Sequence, residues 1–168
     1  MKIISIGSNL SSRFGNRFIN IKKTIEFLII EKITILNKSS FYETPSYPNN
    51  SNPKFVNVIL NIDSNFSTKK LFKIFLNIEN RMGRIRKIKN DPRTCDIDII
   101  DLNGKILNDN SLILPHPRAH LRNFVLYPLK EICPNWIHPI NKKTIDELIK
   151  NLDLSARNQI IKIKEKVL

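Results

Sequence analysis

A chain of 168 residues with an apolar fraction of 41% is long enough to build one domain around its own core. It carries 28 Lys and Arg against 15 Asp and Glu, a formal charge of +13, so its field draws anions such as nucleotides, nucleic acid or acidic membrane. No apolar run is long enough to cross a membrane, and Met1-Lys2 leads straight into Ile3-Ile4-Ser5-Ile6, too short for a signal segment. The expectation is a cytoplasmic protein with no membrane partner, whose two cysteines, Cys95 and Cys133, stay reduced.

Lys2–Ile6 reads as a first strand, closed by a turn at Gly7-Ser8-Asn9-Leu10. From Asn16 to Glu31, Phe18, Ile21, Ile25, Leu28 and Ile29 recur at helical spacing, which predicts an amphipathic helix. Ile33 to Phe41 reads as a second strand. The Pro-, Asn- and Ser-rich stretch Thr44–Pro53 follows as a long loop, and Phe55 to Ile62 as a third strand. Ser67 is placed to cap a helix running to Met82, with Leu71, Phe72, Phe75, Leu76 and Ile78 inward and Gly83 at its end. Arg84 to Thr94 is a second, basic loop. Cys95–Leu102 reads as the fourth strand, and Asn103-Gly104 as a turn into a further strand at Lys105–Leu107. Pro115-His116-Pro117-Arg118 is a stiff loop. Arg122 to Ile132 reads as a short helix disturbed at Pro128, and Thr144-Ile145-Asp146-Glu147 opens a last helix through a capping box. One domain over residues 1–154 is expected, followed by a basic tail, 155–168. The order β-α-β-β-α-β points to an α+β, ferredoxin-like antiparallel sheet with helices packed on it as an α/β/α sandwich.

The most informative run is Pro92-Arg93-Thr94-Cys95-Asp96-Ile97-Asp98-Ile99-Ile100. Alternate side chains of a strand share a face, so Asp96 and Asp98 point the same way with Cα atoms roughly 6.5–7 Å apart. Cys95, Ile97 and Ile99 then face a core. Two carboxylates side by side repel unless cations lie between them, and Mg²⁺ favours a few carboxylates together with phosphate oxygens. Most of the positive charge is scattered Lys, but the arginines cluster around 81–93 and 118–122. Acidic metal ligands beside arginine clamps suit phosphoryl chemistry. Alone, Asp-x-Asp is more often a solvated strand face; the arginine context reverses that balance.

Taken in order, Ile6-Gly7-Ser8-Asn9-Leu10, Ser40-Phe41-Tyr42-Glu43-Thr44-Pro45, Phe55-Val56-Asn57, Ile78–Arg86, Pro92–Asp98, Leu114–Arg118 and Arg122–Leu129 resemble one family closely: the 6-hydroxymethyl-7,8-dihydropterin pyrophosphokinases of folate biosynthesis. The resemblance covers nearly all of the chain to about Asn151. It implies transfer of pyrophosphate from ATP to the pterin hydroxymethyl group, with AMP as the second product. It further implies two Mg²⁺ ions held by Asp96 and Asp98, with Arg84 and Arg93 clamping phosphate oxygens. Arg86, His116, Arg118 and Arg122 are then ATP contacts, and Thr44, Phe55, Asn57 and Phe124 meet the pterin. Glu79 matches an acidic position near the site, although Glu-Arg pairs on helices are usually solvated. Asp91-Pro92-Arg93 stands where many relatives have Gly-Pro-Arg, and the short loop from Arg86 to Arg93 lacks a Trp that some relatives stack over the pterin. Both departures predict a looser lid.

Two other classes share these features. A basic RNA-binding ferredoxin-like module would present aromatics in a Gly-Phe-type strand motif, but Lys54-Phe55-Val56-Asn57 lacks the glycines. A metal-dependent phosphohydrolase would use the same Asp pair without needing a flat apolar pocket. The kinase reading stands first, with ATP and the pterin as partners, a monomeric chain and no nucleic-acid partner.

Overall fold

The structure, a computed structural model, describes residues 1–47, 49–84, 91–109 and 111–164. Its main sheet holds strands β1 (Lys2–Ser8), β2 (Thr34–Lys38), β3 (Phe41–Thr44), β4 (Phe55–Asp63), β5 (Asp96–Leu102) and β8 (Ile161–Ile163). The strand order is β5-β1-β4-β3-β8, with β2 also paired to β4, and every pairing is antiparallel. Helices α1 (Arg17–Ile30) and α2 (Thr68–Arg81) follow β1 and β4. The fold is the expected ferredoxin-like one.

The single second strand expected over Ile33–Phe41 is two strands. Ser39 interrupts it: its N–H donates to the Ile59 carbonyl at 3.0 Å, while its hydroxyl accepts the Ile59 N–H at 3.0 Å. A side chain thus takes the place of a ladder carbonyl, and the register shifts between β2 and β3. The strand expected at Lys105–Leu107 does not extend the sheet. After a turn with φ of 57° at Asn103 and 70° at Gly104, β6 (Leu107–Asn108) pairs instead with β7 (Ile113–Leu114) as a separate ribbon. Residues read from the sequence as a basic tail form α5 (Leu154–Asn158) and the edge strand β8.

Strand alternation divides the core in two. On one face Ile4, Ile6, Val58, Leu60, Ile97 and Ile99 pack under α1 and α2. Within α2 the buried apolar positions are Leu71, Ile74, Phe75 and Ile78; Phe72 and Leu76, expected inward, are only half-buried. On the other face Ile3, Ile59 and Ile100 pack under α3 (Asn123–Ile132), Trp136 and α4 (Ile145–Lys150). A bulge adjusts this alternation on β5, because Ile4 pairs with Ile99 but Ile3 pairs with Asp101. The extra residue, Ile100, leaves Asp101 on the same face as itself, toward Trp136, and returns Leu102 to the first core. Asn16, Ser67 and Thr144 cap their helices as their positions predict, the last in a reciprocal capping box with Glu147.

Buried Asp101 accepts the Trp136 indole N–H at 2.9 Å and the Gly104 N–H at 2.8 Å. Trp136→Phe keeps the apolar bulk and leaves a buried carboxylate oxygen without its donor, a loss of about 1–3 kcal/mol. A fall in the urea midpoint at unchanged m-value is the expected result.

Candidate active site

The second sheet face is only half covered. Beyond Ile3, Ile59 and Ile100 the same face continues as Ser5 and Gly7 on β1, Asn57 and Phe55 on β4, and Asp98 and Asp96 on β5. These residues line a cleft of about 440 Å³ together with Thr44, Arg93, Arg122 and Phe124. Asp96 lies opposite Gly7 and Asp98 opposite Ser5 in the ladder, so both carboxylates enter the cleft from one strand edge, as the spacing predicts.

Asp96 is held from two sides. Arg84 Nη1 reaches Oδ1 at 2.5 Å, and Arg93 reaches Oδ2 through Nε at 2.7 Å. Burial pushes its pKa up, but the two guanidinium charges outweigh burial and hold it below the ordinary carboxylate range. It is therefore ionised at neutral pH. Arg84 is itself shared with Glu79, which is buried on α2 and also accepts the Ile97 N–H at 2.8 Å. Glu79 is thus no solvated helix residue. It fixes both the arginine and the strand that carries the Asp pair.

Asp98 accepts from Arg122 Nη1 at 3.0 Å, and His116 Nε2 stands 3.8 Å from the same oxygen. The Arg118 N–H donates to His116 Nδ1 at 3.1 Å, while Nε2 also lies 3.3 Å from Arg122 Nη1, so the ring is packed between that arginine and Asp98. Burial, followed by the Arg122 and Arg118 charges, lowers the His116 pKa against the pull of Asp98. The cis Leu114–Pro115 bond sets the entry to this turn.

The other end of the cleft is flat and amide-lined. Buried Asn57 donates to Thr44 Oγ1 at 3.2 Å. Gly7 is required beneath it, since a Cβ there would meet Asn57 Oδ1 at 3.0 Å and the Phe55 ring at 3.5 Å. The Arg93 guanidinium lies 4.9 Å from the Phe55 ring centre, and that of Arg122 lies 5.2 Å from Phe124. Each ring therefore presents an aromatic face that a cationic plane already covers.

The structure thus brings together Arg84, Arg93, Asp96, Asp98, His116, Arg118, Arg122, Thr44, Phe55, Asn57 and Phe124. Arg86 lies outside the described residues, as do the other basic residues of the expected lid, Lys87 and Lys89. Sequence reasoning missed Asn9. Its Oδ1 accepts the Arg93 N–H at 2.7 Å, its own N–H donates to the Arg93 carbonyl at 3.0 Å, and its amide donates to Ser46 Oγ and the Pro53 carbonyl. One side chain so joins the β1 turn, the Thr44–Pro53 loop and the arginine. It also missed Ser5, Tyr47, Asn50, Asn123 and Gln159, all lining the cleft. Among the described residues no group of three or more His, Cys, Asp or Glu forms a self-sufficient metal cage.

Residues 3–134 match the family model described as 7,8-dihydro-6-hydroxymethylpterin-pyrophosphokinase. The chain belongs to this pyrophosphokinase family. It is 33% identical over 92% of its length to the 2-amino-4-hydroxy-6-hydroxymethyldihydropteridine pyrophosphokinase of Synechocystis, covering 77% of that protein. The corresponding Aquifex aeolicus pyrophosphokinase is 34% identical over 86% of this chain and 87% of its own. The folic acid synthesis protein of Dictyostelium discoideum is 35% identical over 89% of this chain, which spans only 22% of that longer protein. In fold, the chain is similar to the crystal structure of Plasmodium falciparum HPPK-DHPS at a TM-score of 0.62 and 16% identity, over 88% of this chain and 42% of that one.

Two expectations test this pyrophosphokinase site. Glu79→Ala leaves the Ile97 N–H without its acceptor and Arg84 with Asp96 as its remaining carboxylate among the described residues, and is expected to cost about 3 kcal/mol or more, whereas Glu79→Gln, which still accepts from Ile97, costs less. Denaturation of both variants checks the order. Protonation of His116 and of His138, also lowered chiefly by burial, opposes folding, because both bind protons more weakly folded than at the unfolded value of 6.5. Stability is complete above that value and falls as pH drops through it. Between about pH 7 and 5 the melting temperature should fall, with a shallower slope in His116→Gln.

Proposed function

We propose that the protein transfers the pyrophosphoryl group of ATP to the hydroxymethyl oxygen of 6-hydroxymethyl-7,8-dihydropterin, in folate biosynthesis. A bond forms between that oxygen and the β-phosphorus. The bond from the β-phosphorus to the oxygen bridging it to the α-phosphate breaks, AMP leaves with that oxygen, and the hydroxyl proton passes to solvent. One observation carries this reading: a carboxylate pair ringed by arginines shares a single cleft with an amide-and-aromatic slot. The first end suits a triphosphate and the second a flat ring edged with donors and acceptors.

Asp96 and Asp98 would hold two Mg²⁺ ions. Both are open to such ligation: Asp98 engages Arg122 and His116 through Oδ2 alone among the described residues, and a carboxylate has about four lone-pair sites, so Asp96 is not exhausted by its arginines. Mg²⁺ bound there supplies positive charge that offsets the triphosphate and orients it. Arg84 and Arg93 are poised to trade carboxylate for phosphate oxygens, for which a planar fork of donors is well shaped. His116 is a nucleotide contact, Arg118 and Arg122 add charge beside it, and Arg86 is assigned the same role. Asn57, backed by Thr44, reads the pterin edge, with Phe55 and Phe124 against its faces. Buried Cys95, its thiol pushed up to about 12 by desolvation, stays protonated and takes no part.

The chain is taken to act as a cytoplasmic monomer without nucleic-acid or membrane partners; among the described residues no helix is long and apolar enough to cross a membrane. Incubation with ATP, Mg²⁺ and the pterin alcohol is expected to yield AMP, and release of ADP would sink the assignment. Asp96→Asn and Asp98→Asn should each lower turnover by about two orders of magnitude or more at saturating Mg²⁺ while the protein stays folded. Near-normal turnover in either would remove the Asp pair from the chemistry.

A further inference from the structure

The segment Leu154–Ile163 lies beyond residues 3–134, which carry the family match, yet it reaches the cleft. Strand β8 adds to the sheet edge with Phe41 opposite Ile163, Tyr42 opposite Lys162 and Glu43 opposite Ile161. Glu131 on α3 fastens this edge. It accepts from the Ser40 hydroxyl and the Tyr42 phenol, each at 2.8 Å, and pairs with Lys162 at 3.4 Å. From there α5 crosses toward the start of α3, where the Asn123 amide donates to the Ala156 carbonyl at 2.6 Å. The other end of the same amide accepts the Phe124 N–H at 2.7 Å. Ala156 and Gln159 both line the cleft. Gln159 uses its N–H on Ser155 at 3.1 Å, which leaves Oε1 as an acceptor among the described residues.

We propose that this strap is a working wall of the pterin end of the cleft. Through the Ala156 carbonyl it fixes Asn123, and so the backbone that presents Phe124, and with Gln159 it offers an acceptor to an amino-bearing flat ring. Asn123 is thus a positioning residue, and the strap sets affinity for the pterin rather than for ATP. The sheet order supports this selectivity. Strand β8 is four strand spacings, about 19 Å, from β5 and its carboxylates, but directly beside β3, which ends at Thr44.

The inference rests on the pyrophosphokinase reading, so the unmodified protein is assayed first for AMP, and its failure there counts against that reading alone. Asn123→Asp then isolates the strap, because a carboxylate still accepts from Phe124 N–H but cannot donate to Ala156. Loss of one hydrogen bond predicts a pterin KM raised about three- to tenfold, with the ATP KM within about twofold. Pterin Kd, read from the ligand's fluorescence on the full chain, should rise by the same factor. Gln159→Ala, an exposed change that spares the fold, should raise pterin KM in the same direction. Unchanged pterin KM and Kd in both variants, with urea midpoints showing both folded, would overturn the proposal. A parallel rise in the KM of both substrates would also overturn it. Should the unmodified protein release no AMP, the pterin Kd values decide the strap's role by themselves.

Discussion

Asp96 accepts from two arginines, and the arrangement of the site follows from balancing that charge. A carboxylate in a cleft wall is costly to desolvate unless cations meet it. Arg84 and Arg93 do so, but each then needs its own anchor. Glu79 supplies one by rising from α2 to share Arg84, and Asn9 supplies the other by gripping the Arg93 backbone. The charge alternates from Glu79 through Arg84 and Asp96 to Arg93, and it spans α2, β5 and the segment leading into β5. Two charges of one sign never stand adjacent in this chain of contacts. The arginines are thus already aimed by carboxylates, which leaves them little freedom to lose on meeting an anion.

The sheet supplies the second constraint. A helix laid along the whole second face would give a larger core and no site. Helix α3 covers only the half marked by Ile3, Ile59 and Ile100, and the strands change residue type where its cover ends. Ile gives way to Ser5 and Gly7 on β1, to Asn57 on β4 and to Asp98 on β5. The bulge at Ile100 turns Asp101 to the same face as the Asp pair, but under Trp136 at the covered end, where it is hydrogen-bonded and not open to the cleft.

Much of this was legible in the sequence because it depends on short-range periodicity. The alternation in Cys95–Ile99 placed the Asp pair on one face, and capping residues marked the helix starts. The interruption at Ser39 was hidden because a serine hydroxyl replacing a ladder acceptor leaves no trace in apolar spacing. Glu79 reads as a solvated helix residue unless the position of β5 is known, since its partners Ile97 and Arg84 come from later segments. Asn9 looks like an ordinary turn residue because its partners, the Ser46 hydroxyl and backbone groups of Pro53 and Arg93, lie 37 to 84 positions away. The strap escaped notice for a similar reason. Strand β8 is three residues long and mostly exposed, with Lys162 inside it and Lys164 after it, so its pairing is decided by the edge it meets and not by its own pattern.

That edge has a consequence for the behaviour of the protein in concentrated solution. Without β8, the outer N–H and C=O groups of Phe41–Thr44 would face water as a free template beside apolar side chains, the arrangement through which sheets of different molecules join. Strand β8 satisfies that row and offers in its place a margin only three residues long, with Lys162 within it and Lys164 just beyond. Short, exposed and lysine-bearing, that margin is a poorer template for a second strand than the one it covers. The +13 charge of the chain, carried largely by scattered lysines, works at long range in the same direction, against the close approach of two copies.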